Sequence, residues 1–89
     1  MSYAWELAER AKEQLATLEA WLQEETLDVI DAIATSPTPV EHPRRRDEFV
    51  QDFVRERGGT RYYVFLTLSL DEVRKVLRIV SVGSYSRKP

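Results

Sequence analysis

The chain has 89 residues, no cysteine and a net charge of −2, with charged residues making up 31% of the sequence. One domain spanning residues 1–89 is expected at this length. The absence of cysteine excludes a disulfide framework and thiolate chemistry and fits a reducing cytoplasm. No apolar stretch approaches the roughly 20 residues needed to span a bilayer, and the acidic opening MSYAWELAERAKEQ does not read as a secretory leader.

Charge is unevenly spread. From Met1 to Ser36 eight acids face only Arg10 and Lys12, whereas from Pro37 to Pro89 eleven bases face seven acids. A basic half of this kind can attract a phosphate backbone; the plainer reading is glutamate-rich helices followed by strands.

In chain order, Tyr3, Trp5 and Leu7 alternate with small or polar residues, a strand pattern that could also open a helix. A short strand is favoured. From Ala8 the period changes. Ala8, Ala11, Leu15, Leu18 and Trp21 or Leu22 recur at helical spacing, and Leu27, Ile30, Ile33 and Ala34 form a second stripe with Thr26 as its candidate N-cap. No Gly or Pro between Glu19 and Glu25 forces a break. A helical hairpin is preferred over one rod, because a single helix from Ala8 to Ala34 would reach about 40 Å. Ser36-Pro37-Thr38-Pro39 ends the helical region.

A loop with His42 and Arg44-Arg45-Arg46 follows. Phe49, Val50, Phe53 and Val54 fit either a helical turn or a strand, and Asp52 to Arg57 reads as a strand entering the turn Gly58-Gly59. Thr60 to Gly83 dominates the chain. Tyr62 to Leu68 and Val73 to Val82 are two runs of aromatic and branched side chains separated by the polar break Ser69 to Glu72. Both runs are apolar at nearly every position, which predicts strands covered on both faces. The tail SYSRKP is expected to be frayed or held by Tyr85. Helices followed by strands make an α+β fold: a short N-terminal strand and a helical hairpin packed on an antiparallel sheet that ends in a three-stranded meander.

The residues permit limited chemistry. Gly58-Gly59 lacks the spacing of a phosphate loop, no nucleophile constellation exists, and His42 alone does not make a metal site. Three basic groups remain. Arg44-Arg45-Arg46 is either a solvated loop or a phosphate-contact patch. Arg55 and Arg57 share a face by strand period, and pairing through the turn is expected to bring Arg61 beside them as an anion site; the alternative is an edge strand kept soluble by charge. Arg78 sits inside VLRIV and is expected to reach a carboxylate or a groove, with Arg87 and Lys88 following. Tyr62, Tyr63 and Tyr85 lie near these bases as stacking groups or as packing.

The order of elements and four strings resemble the RelE/ParE superfamily, the toxins of type II toxin–antitoxin pairs: YAWELAERAKEQLATL, DVIDAIATSP, TRYYVF and VLRIVSVGSYSR. The resemblance spans nearly the whole chain. It implies a curved sheet, a cognate antitoxin as partner with room for a dimer inside the toxin–antitoxin complex, and, in RelE-like members, cleavage of mRNA at the ribosome without metal or cofactor. Carried over by position, it implies a catalytic set of Arg55, Arg57, Arg61 and Tyr85, with His42 as a second candidate for proton transfer. RNA contacts would come from Arg44, Arg45, Arg46, Arg78, Arg87 and Lys88. Two residues beyond the valine-glycine step, family nucleases carry an arginine; here the residue is Tyr85 and the next base is Arg87. That departure keeps a second function open, a ParE-like or catalytically degenerate member that binds gyrase or only its antitoxin. A small α+β domain with no toxin role is the plainest alternative.

Overall fold

The computed structural model describes residues 3–37, 41–42 and 45–88, with side chains described outside 41–47. The elements run β1 (Ala4–Leu7), α1 (Glu9–Ala16), α2 (Ala20–Thr35), β2 (Glu41–His42), β3 (Arg45–Arg57), β4 (Thr60–Asp71) and β5 (Val76–Arg87). The sheet order is β1-β5-β4-β3-β2. β3, β4 and β5 form the expected antiparallel meander. β1 joins the edge parallel to β5, so the sheet is mixed. Backbone N–H groups fasten this edge: Ala4 donates to the Lys75 carbonyl at 3.1 Å, Ala8 to Ile79 at 3.0 Å, and Tyr3 to Ala34 of α2 at 2.8 Å.

The helices break earlier than the sequence suggests, at Thr17–Glu19, without Gly or Pro. Side chains satisfy the carbonyls that end α1. The Thr17 hydroxyl donates to the Gln14 carbonyl at 2.6 Å, and Gln23 Nε2 donates to Leu18 at 2.8 Å. Thr26 is therefore not an N-cap. It lies inside α2, fully buried, and its hydroxyl donates to the Leu22 carbonyl at 2.7 Å. Leu22, Thr26, Ile30 and Ala34 form the buried stripe of α2, each four residues from the last.

That stripe, with Ala11 and Leu15 of α1, covers one face of the sheet, where Phe49, Val64, Leu66, Leu68, Leu77, Ile79 and Val82 are buried. Each large apolar side chain removed from water there contributes about 1.5–3 kcal/mol. The other face has no covering layer among the described residues, which corrects the expectation of strands covered on both sides. Phe65 on that face remains 37% exposed and Tyr85 49%. The central strand is apolar at successive positions because its outward Tyr63 and Phe65 stack on Tyr85 of β5.

Two strand ends also differ from the sequence reading. β5 begins at Val76, and Val73 stands 94% exposed in the preceding turn. The Asp71 carboxylate makes this turn by accepting from the Val73 and Arg74 N–H groups at 3.1 and 3.0 Å. The tail is strand out to Arg87, paired along β4 as far as Arg61.

Candidate functional site

Strand register decides which side chains meet. Gly58 and Gly59, both at positive φ, form a two-residue loop that places Arg57 opposite Thr60 and therefore Glu56 opposite Arg61. Arg55 and Arg57 consequently lie on the helix side. Arg55 Nε reaches Glu25 at 3.3 Å, and the Arg57 guanidinium sits 4.9 Å from the ring centre of Trp21. Arg61 points to the uncovered face. The expected cluster of three arginines on one face does not form.

A second cluster forms in its place. β5 carries a bulge: Thr67 pairs with Ser81 and Leu68 with Ile79, leaving Val80 extra. The inserted residue reverses which positions face outward. Leu77 and Ile79 are buried before it and Val82 after it, so Tyr85 and Arg87 emerge on the uncovered face with Arg61. Gln14 of α1 braces this place, its Oε1 accepting from the Val82 N–H at 2.7 Å.

On the uncovered face Arg61 stands directly opposite Arg87, and Tyr63 opposite Tyr85. Arg61, Tyr63, Arg87 and Lys88 line an open hollow of about 380 Å³. Facing like charges repel, and the Glu56 carboxylate lies 3.8 Å from Arg61. An anion between Arg61 and Arg87 relieves that repulsion. A hydrogen bond to Tyr63 raises the Arg61 pKa above its ordinary value, and the Glu56 carboxylate adds to the effect. Beside the hollow the Tyr63 and Tyr85 rings stack at 4.7 Å, and Phe65 stacks on Tyr85 at 5.6 Å.

Of the remaining sequence candidates, Arg78 is on the uncovered face but reaches Glu6 on β1 at 3.6 Å, as its position in VLRIV required. It stands nine residues from Arg87 along β5, about 30 Å at strand rise. Arg44 and the side chains of His42, Arg45 and Arg46 lie outside the described residues. Phe65 was missed as a surface residue. Its signal is the alternation Arg61, Tyr63, Phe65 against Gly83, Tyr85, Arg87. Among the described residues no group of three His, Cys, Asp or Glu side chains is placed to hold a metal ion, and no helix is long and apolar enough to cross a membrane.

Neither a protein-family model nor a curated protein sequence matches the chain. Solved structures do. A double arginine-to-alanine mutant of the E. coli toxin RelE in the free state superposes with a TM-score of 0.73 at 19% identity, over 93% of this chain and 83% of that one. The Mycobacterium tuberculosis toxin–antitoxin complex RelBE2 gives 0.68 at 16% identity, over 96% and 100%. The archaeal RelE–RelB complex from Pyrococcus horikoshii gives 0.60 at 19%, over 93% and 94%. At such identities the likeness is one of fold: the chain has the fold of the RelE toxins.

Proposed function

We propose that this chain is the toxin of a type II toxin–antitoxin pair and acts in the cytoplasm as a RelE-like, ribosome-dependent mRNA endoribonuclease. The observation that carries the reading is the convergence of Arg61, Tyr85 and Arg87 on the uncovered sheet face of a RelE-like fold, achieved through a two-residue turn on one side and a bulge on the other. The similar structures that hold RelB chains support an antitoxin as partner.

RNA supplies its own nucleophile, the 2′-hydroxyl beside each phosphate. In the reaction the 2′-oxygen–phosphorus bond forms, the bond to the 5′-oxygen breaks, the 2′-hydroxyl proton passes to solvent water and a second proton reaches the departing oxygen. Arg61 and Arg87 face each other across the ladder and would bracket the phosphate, neutralising charge that builds on its oxygens. Tyr85, on the same face two residues before Arg87, would donate the proton to the leaving oxygen. Arg55 and Arg57 serve the helix–sheet contact, so the catalytic set reduces to Arg61, Tyr85 and Arg87, with Lys88 at the rim.

The test is cell-free translation of a reporter mRNA with purified protein, with breaks mapped by primer extension. Cuts that need translating ribosomes, and that vanish in Arg61→Ala while its circular dichroism stays unchanged, support the assignment. Unchanged cutting in Arg61→Ala removes that residue from the mechanism. Intact message with normal protein yield ends the nuclease reading and turns the search to a protein target, gyrase first.

A further inference from the structure

We propose that the uncovered sheet face is a contact between two copies of this chain, and that the contact closes the hollow at Arg61 and Arg87. The contact stands on its own observations. Its purpose, keeping the site shut until RNA competes for it, rests on the nuclease reading.

One observation concerns shape. Val50, Val54, Phe65 and Tyr85 keep 37% to 49% of their surface and all lie on this face, while the other face packs under the helices. An exposed apolar patch rimmed by charge marks a contact surface. The second observation is that charge on the face is divided by strand. Around the hollow the acids, Asp52 and Glu56, stand on β3, and the bases, Arg61 and Arg87, stand on β4 and β5.

That division is self-complementary. A two-fold axis along β4 sets β3 of one copy over β5 of the other and leaves each row of paired residues at its own height. Glu56, Arg61 and Arg87 form one row, and Val54, Tyr63 and Tyr85 the next. Glu56 of each copy then faces Arg87 of the other, and Val54 faces Tyr85. Asp52 faces Gly83, where an added Cβ would meet nothing within 4 Å, so the approach is open. Aligned sheets pack in this way, about 10 Å apart with their side chains interleaved. Arg61 and Arg87 repel across the ladder, and Glu56 of the second copy brings a carboxylate that relieves them. Arg61 lies on the axis and keeps its own Glu56 at 3.8 Å. A second copy suits the face better than a purely acidic segment does, because it answers the acids of β3 as well as the bases of β5. Three strands about 4.8 Å apart make a narrow face, so the contact belongs with the weak, reversible ones that bury less than about 1,200 Å².

Sedimentation velocity of the purified chain at low salt, over a concentration series, tests it. Wild-type protein should pass from monomer to dimer as concentration rises. Glu56→Arg and Arg87→Glu, each alone, set like charges opposite one another twice per dimer and should weaken association at least about tenfold. Mixed in equal amounts, the two variants should associate with each other as the wild type does, because every facing pair is again opposite in charge. Circular dichroism of each variant establishes that it folds. An oligoadenylate should convert the wild-type dimer into RNA-bound monomer. Wild-type protein that stays monomeric throughout overturns the proposal and leaves the face to RNA or an antitoxin. A dimer untouched by either folded variant, or a mixture that stays apart, also overturns it and moves the contact to another surface. RNA bound to an intact dimer overturns the closure of the hollow. A dimer restored by mixing, in a protein that cuts no mRNA during translation, leaves the contact standing and sinks only the nuclease reading.

Discussion

Arg61 carries two roles that its neighbours separate. Tyr63 neighbours its guanidinium, and Glu56 lies 3.8 Å away on the adjoining strand. Both favour the charged form. The folded pKa is raised, so this contribution is complete below the ordinary guanidinium value and is lost only as pH rises through the raised one, beyond any working range. Binding of a short single-stranded RNA should therefore show no loss attributable to Arg61 between about pH 6 and 9. The facing of Arg61 was legible in principle: a two-residue loop sets residues opposite one another in fixed pairs, and Arg61 falls opposite Glu56. Pairing through the turn does bring Arg61 across from this strand, but its register sets Arg61 opposite Glu56, on the face that Arg55 and Arg57 do not share.

At the scale of elements, the bulge in β5 is the feature that no pattern in the sequence disclosed. VLRIVSVGSY is apolar at too many positions for alternation to reveal an inserted residue, and the bulge is stabilised from another element, by Gln14 on α1. The helices, the Gly58-Gly59 turn and β4 were legible because local periodicity and turn chemistry decide them. The break at Thr17–Glu19 was not, because side-chain bonds from Thr17 and Gln23 make it. These ties predict a contrast. Gln14→Leu strands a half-buried N–H, a loss of about 1–3 kcal/mol, or a melting point lower by roughly 4–8 °C for each kcal/mol in a domain of this size. Because the bulge also orients Tyr85 and Arg87, RNA affinity of the folded Gln14→Leu protein should drop, and Gln14→Glu, which keeps an acceptor, should restore much of it. Arg55→Ala breaks a bridge whose side chains are 38% and 43% exposed, worth at most about 1 kcal/mol, and should leave RNA affinity alone. Arg55→Ala impairing binding as much as Arg87→Ala would return Arg55 to the site.

At the scale of the molecule, a net charge of −2 looks poorly suited to RNA, yet its placement answers the objection. The helices carry Glu9, Glu13, Glu24, Glu25, Asp28 and Asp31, and they pack on the face of the sheet away from the hollow. On the uncovered face Arg78 is occupied by Glu6 far from the hollow, and the cations gathered at one end are Arg61, Arg87 and Lys88. Binding should then respond to salt as a small site does. For single strands the logarithm of the binding constant falls with the logarithm of salt concentration by about 0.7 per phosphate neutralised, so three contacts give a slope near −2. Arg87→Ala should make the slope shallower by about 0.7, while Arg78→Ala should leave it unchanged. A wild-type slope near −4, which about six contacts would require, would bring Arg44, Arg45 and Arg46 into the interface. Deleting those three charges would then be expected to return the slope to the value set by the hollow alone.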